Sequence, residues 1–191
     1  MALKMSPLAI IRVKNALHLC VVRFVVLTSA KRNFKLNFII MKHLEYKIVI
    51  SAPAKKVWET MLDKENYKKW VAKSWPDSSY EGNWAKGEKM KFIGPDGTGT
   101  LAEFVEFKPY ERILARHIAM LGQGGVEDRT SDVAKGWIGT TEEYRFSEEK
   151  GKTTLTVVME TPPDWTKMFD DGWPAALEEL KKLAERQLTT A

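Results

Sequence analysis

Residues 43–50 (His-Leu-Glu-Tyr-Lys-Ile-Val-Ile) alternate polar and apolar positions and are rich in β-branched and aromatic types, which predicts a half-buried strand. Ser51-Ala-Pro53 follows, with Ser51 or Ala52 at a helix cap and Pro53 in the first turn, where its missing N–H costs little. Val57, Trp58, Met61 and Leu62 then form an apolar stripe at helical spacing, and a second short helix is expected over 64–71, presenting Tyr67 and Trp70. From Tyr80 onward turn signals multiply: Glu81-Gly82-Asn83, Lys86-Gly87 and Gly94-Pro95-Asp96-Gly97. Between and after them, short strands are expected over about 88–93, 98–107, 111–120, 140–148 and 152–160, an antiparallel meander. Leu121 to Gly139 interrupts the run; Gly122, Gly124, Gly125, Gly136 and Gly139 predict an irregular, functional loop there. The last element is a helix from about Thr166 to Gln187, with Phe169, Trp173, Leu177, Leu180 and Ala184 on one apolar face and a kink expected at Gly172-Trp173-Pro174. Strand, two helices, five or six strands and a long helix give an α+β class, an antiparallel sheet with helices on one face.

Composition changes this picture at one end only. The 191 residues are 44% hydrophobic and 29% charged, which suits a folded domain rather than a disordered chain. The formal charge is +5, yet residues 1–40 hold seven basic side chains and no acidic one, so the remainder is slightly acidic. The basicity is therefore no sign of nucleic acid as a partner. Within 1–40, the apolar stretch Ala16–Ala30 follows a basic region, but it carries Arg23 and falls short of the roughly 20 residues that span a bilayer. Three readings apply to this segment: a misassigned start with translation from Met41, a targeting or membrane-associated segment, or a folded appendage. The abrupt change of charge at position 41 favours the first. The expected domain is 41–191, cytoplasmic and without stable membrane insertion. Cys20 is the single cysteine, which excludes an intrachain disulfide and a cysteine-rich metal cage.

Signatures of catalysis are missing. Gly82-Asn-Trp-Ala-Lys-Gly87-Glu-Lys fails the phosphate-loop pattern at its lysine, and Gly122-Gln-Gly124-Gly125 follows no parallel strand–helix unit. There is no His-Glu-x-x-His, no Gly-x-Ser-x-Gly, and no cysteine nucleophile in the body. With only His43 and His117 in the body, no metal site, cofactor or catalytic residue is expected. Tryptophan is in excess: Trp58, Trp70, Trp75, Trp84, Trp137, Trp165 and Trp173 all lie in the body. Trp58 and Trp173 read as core, whereas Trp70, Trp75 and Trp137 fit core or a cavity mouth equally, since ligand cavities have mostly apolar walls. A lone strand histidine such as His117 is more often structural, but it can also serve as a pocket hydrogen-bonder or general base. Glu103 shares strand parity with Leu101, Val105 and Phe107, which would turn it inward toward Arg116 or Arg145 unless the strand twists and solvates it. Glu142-Glu143 and Lys181-Lys182 read as solvated faces.

Several segments in order carry a family likeness. Ile48-Val-Ile-Ser-Ala-Pro53-Ala-Lys-Lys-Val57-Trp58, the Trp70 region, Gly82-Asn-Trp84-Ala-Lys-Gly87, Pro109-Tyr-Glu-Arg-Ile113, Gly151-Lys-Thr-Thr-Leu155 and Gly172-Trp173-Pro174-Ala-Ala-Leu177 resemble the START-like (SRPBCC) superfamily. Within it the chain looks most like the branch named for the activator of heat-shock protein 90 ATPase, over roughly 43–187. The resemblance implies a helix-grip fold: a curved antiparallel sheet wrapped around a long C-terminal helix, with a deep apolar cavity between them. Members of the superfamily include lipid or hormone carriers, polyketide cyclases and aromatases, and chaperone activators, so fold does not fix function. Residues 1–40 are too short to replace the separate chaperone-binding domain of the eukaryotic activators.

The leading expectation is a soluble protein, monomer or homodimer, that binds a small hydrophobic or aromatic molecule. Its expected walls are Trp70, Phe92, Phe104 or Val105, His117, Tyr144, Phe169, Trp173 and Leu177, with the 122–139 loop as gate. Two alternatives stand beside it. One is a stress-related chaperone partner working through an outer surface. The other is a cofactor-free cyclase or dehydratase using His117 and an inward carboxylate as an acid–base pair.

Overall fold

The computed structural model describes residues 22–24 and 38–186. Strands β1 (Val22–Phe24) and β2 (Phe38–Ile40) pair as an antiparallel ribbon. The other residues before Phe38, and with them the readings of the N-terminal segment, lie outside the described residues, as does the end of the chain after Arg186.

From Met41 the chain follows the pattern of its apolar positions. β3 (Lys42–Ile50) leads through Pro53 into α1 (Ala54–Leu62), whose cap Pro53 supplies no side-chain acceptor. The sheet supplies one instead: Glu148 Oε2 accepts the Ala54 N–H at 2.8 Å, a carboxylate placed at the positive end of the helix. Asp63 ends α1 and starts α2 (Lys64–Val71), its backbone N–H reaching Glu59 O while its side chain accepts from Asn66 N. Then come β4 (Ser79–Gly82), β5 (Lys89–Ile93), β6 (Gly99–Lys108) and β7 (Arg112–Leu121). β8 (Glu127–Asp128), α3 (Asp132–Trp137), β9 (Thr141–Glu149), β10 (Lys152–Thr161) and α4 (Thr166–Arg186) complete the chain.

The main sheet has eight strands in the order β3-β10-β9-β7-β6-β5-β4, all antiparallel, with β8 on the end of β7. α4 packs against α1, α2 and β3, and buries Trp173, Ala176, Leu177, Leu180 and Ala184 in the core shared with the sheet. This is the helix-grip arrangement. α4 continues through Pro174 as one helical element.

Two expectations are corrected here. The 122–139 segment is not an irregular loop: a 3-10 turn (Gln123–Gly125), β8 and α3 occupy it, and Ser131 caps α3 by accepting from Ala134 N at 3.1 Å. The face of β6 turned to the main core is also not the one shared by Leu101, Glu103 and Val105 but the one shared by Thr100, Ala102 and Phe104, and the pairing with β7 shifts register between Leu101 and Ala102 and again between Phe104 and Glu106. Leu101 joins a small cluster with Ala119 and Leu121, while Ala102 and Phe104 enter the main core. Glu103 stands away from that core with Arg116 at 3.4 Å, and Val105 is exposed.

Candidate ligand-binding cavity

A cavity of about 610 Å³ lies between α2, α4, the strands β5, β6, β7 and β9, and α3. Its apolar walls are positioned by hydrogen bonds made behind them. Trp70 Nε1 donates to Met61 O at 3.2 Å and Tyr80 OH to Leu62 O at 2.6 Å, so two side chains satisfy the free carbonyls at the end of α1. Tyr67 packs edge-on against both Trp70 and Tyr80, with ring centroids 5.1 and 5.0 Å apart. Trp173 on α4 is the hub of the far wall, with Tyr46, Trp70, Trp75 and Tyr144 all within 6.3 Å of its ring. Gly172 makes this possible: a Cβ there would lie 2.7 Å from the Trp75 ring.

The polar side of the cavity is built from β6, β7, α3 and β9. His117, on β7, is 2% exposed, and its Nδ1 lies 3.0 Å from Thr100 Oγ1. Thr100 Oγ1 accepts from Trp137 Nε1 at 2.8 Å and has one hydrogen to give. Given to the Ala119 carbonyl 3.2 Å away, it leaves the imidazole proton on Nδ1 and a lone pair on Nε2. Given to Nδ1, it puts the imidazole proton on Nε2. In both cases Nε2 is buried without a hydrogen-bond partner and faces Glu142 Oε2 at 3.8 Å, beyond hydrogen-bonding reach. Burial pushes the His117 pKa down to about 3, because desolvation penalises the imidazolium.

Glu142 corrects an expectation of a solvated face. Its side chain keeps 17% of its surface, lines the cavity, and accepts a hydrogen bond from Tyr144 OH. Burial pushes its carboxyl up to about 7, opposed by that hydrogen bond. The Tyr144 and Tyr67 hydroxyls are themselves held above the ordinary tyrosine range by burial first and by the Glu142 charge second. Glu143 is not solvated either: its side chain keeps 12% of its surface and bonds Arg112 Nε at 2.6 Å and Arg145 Nε at 2.8 Å on the face away from the cavity. The signal for Glu142 was its parity with Tyr144 and Phe146, both buried.

Of the expected wall residues, Trp70, Phe92, His117, Tyr144, Phe169 and Trp173 surround the cavity. Phe104 and Leu177 do not. Phe104 stacks on Trp84 at 5.0 Å in the core. Leu177 lies one turn beyond Trp173, on the part of α4 buried in the core. Among the described residues no three side chains are grouped as metal ligands, and no helix is long and apolar enough to cross a membrane.

Residues 51–185 match the family described as "Activator of Hsp90 ATPase homolog 1-like protein". The chain belongs to this family. Its AHSA1-like fold recurs in the Aha1 dimer from Colwellia psychrerythraea, at 17% identity and TM-score 0.58, over 75% of this chain and 96% of that one. A Chromobacterium violaceum protein gives 18% identity and TM-score 0.56 over 75% and 96% of the two chains. CalU16 from Micromonospora echinospora gives 16% identity and TM-score 0.52 over 79% and 81%. No curated protein matches the chain. These likenesses establish the AHSA1-like fold, and the START-like assignment made from the motifs holds.

Proposed function

We propose that this AHSA1-like protein binds a small hydrophobic or aromatic molecule in its cavity, acting in the cytoplasm as a monomer or homodimer. The observation that carries the reading is the cavity itself: about 610 Å³, walled by Tyr67, Trp70, Phe92, Phe169 and Trp173, with its polar groups gathered around His117 and Glu142. That volume and lining fit the general pattern of small-molecule sites, apolar walls with few placed polar groups. Residues 122–139 serve as the gate, with Trp137 as its inner face. Native mass spectrometry of protein expressed in its own host tests this. An extra mass that leaves on denaturation supports it. An empty protein that instead recovers the host's heat-shock chaperone in a pull-down moves the function to an outer surface.

One distance favours a second reading. His117 and Glu142, 3.8 Å apart, form the kind of pair that a cofactor-free cyclase would use for proton transfer. Turnover of a polyketide-type substrate that survives His117→Ala removes this reading.

A further inference from the structure

Glu142 is an acid without a counter-ion. The neighbouring carboxylates are matched: Glu143 bonds Arg112 and Arg145, and Glu103 meets Arg116. Among the described residues that line the cavity there is no lysine or arginine. The titratable groups facing Glu142 are His117 from β7, Tyr144 from β9 and Tyr67 from α2. α3 and α4 line the cavity with Trp137, Met168, Phe169 and Trp173, none of them ionisable.

The rings around this carboxylate form a continuous aromatic wall. Tyr67 meets Trp70 at 5.1 Å, Trp70 meets Trp173 at 6.3 Å, and Trp173 meets Tyr144 at 5.9 Å. Ring faces and a carboxylate attract the same kind of ligand, a cation. The alternatives leave something unpaired. An anion meets Glu142 with no positive side chain to hold it. A hydrocarbon leaves His117 Nε2 buried without a partner and the Glu142 carboxyl with the Tyr144 hydroxyl alone. Water bridges the two groups but supplies no charge. A protonated amine does both, because one nitrogen can direct two N–H bonds at acceptors 3.8 Å apart. His117 then accepts at Nε2, in the tautomer that Thr100 permits by giving its hydrogen to the Ala119 carbonyl.

We propose that the cavity selects a hydrophobic organic amine, bound as its cation. Its N–H groups rest on Glu142 and His117 Nε2, and its apolar body lies against Trp70, Phe169 and Trp173. This inference rests on the cavity-binding reading above and narrows it to a chemical class. Binding needs the ionised carboxylate, which burial disfavours below about pH 7 in the empty protein.

The test is calorimetric titration at pH 8 with three ligands of one skeleton: 2-(1-naphthyl)ethylamine, 2-(1-naphthyl)ethanol and 1-naphthylacetate. The expected result is amine binding at least about tenfold tighter than alcohol binding, with the acid weakest. In Glu142→Gln the amine loses about tenfold more affinity than the alcohol does, and the alcohol binding that remains also reports that the variant is folded. In the unmodified protein amine affinity falls about tenfold from pH 8 to pH 6, as the carboxyl is protonated, while alcohol affinity stays level. Alcohol or acid binding as tight as the amine overturns the amine inference and leaves cavity binding intact. A co-purified molecule with no basic nitrogen does the same. Failure of all three ligands to bind, in protein that also carries no co-purified molecule, overturns the cavity-binding reading and this inference with it.

Discussion

Glu142 and Glu143 are neighbours on β9 and live in opposite environments, one inside the cavity and the other between Arg112 and Arg145 on the outer face. The inner one is coupled by position to His117, and burial moves the two pKa values in opposite directions. Their effects on stability oppose each other. Glu142 titrates in the unfolded chain near 4.5 and in the fold near 7, so the stability it gives is full below pH 4.5 and is lost as pH rises through 7. His117 titrates near 6.5 unfolded and near 3 folded, so its stability is full above pH 6.5 and is lost as pH falls through 3. Between pH 4.5 and 6.5 the two contributions offset each other. Removing either group exposes the other, with a slope of at most about 1.4 kcal/mol per pH unit. Urea unfolding at pH 5 and 6.5 should show Glu142→Gln gaining stability with pH relative to the unmodified protein, and His117→Gln losing it. Parallel profiles for all three proteins would mean that the pair is not desolvated as described. The sequence announced His117 as a candidate but hid Glu142, because two adjacent glutamates resemble a surface. Phe104 misled for another reason: it shares the inward face of Thr100 and Ala102, but further along β6 than the cavity-lining Thr100 that face meets Trp84 in the core.

At the scale of elements, α4 does two jobs along one face. Phe169 and Trp173 line the cavity, and one turn later Leu177 and Leu180 are sealed in the core. Trp173→Ala should therefore lose both binding and about 3–5 kcal/mol of stability, read as a shift in the urea midpoint together with loss of ligand heat. Full stability with binding lost would show Trp173 to be a ligand contact alone. Gly172→Ala is the subtler change. Helix propensity alone favours alanine by about 1 kcal/mol. The Trp75 ring, 2.7 Å from the new Cβ and packed against Trp173, makes the net effect a loss of about 1–2 kcal/mol. A higher melting temperature for this variant would contradict that packing. Most elements were legible within a residue or two, since their apolar periods are long and regular. α3 was not, because glycines on either side and Gly136 within it mask a helix of six residues; its one local signal is the Ser131 cap.

For the whole molecule, β3, β4 and the two-residue β8 each pair on one side only among the described residues, and β10 pairs on both sides. Hydrogen exchange should be slower in β10 than in the short edge strand β4, since local openings start where pairing is one-sided. Faster exchange in β10 than in β4 would contradict the strand order. Element order carried the fold class in the sequence, but the cavity is assembled from α2, β5, β6, β7, α3, β9 and α4. Distance along the chain concealed which of its many aromatic residues meet. One feature of the sheet bears on how such a domain can diversify. β9 stops pairing with β7 at Thr141 opposite Arg116, and beyond that point β7 is held instead by Thr140 and Gly139 on His117 and by β8 at its tip. Residues 122–140 are thus an excursion spliced into a hairpin that β7 and β9 already close without it. Ala134, Trp137 and Thr140 within it are buried, so the excursion is core as well as cavity wall, and the places where it can change without cost to the sheet are its exposed positions, such as Val126 and Val133.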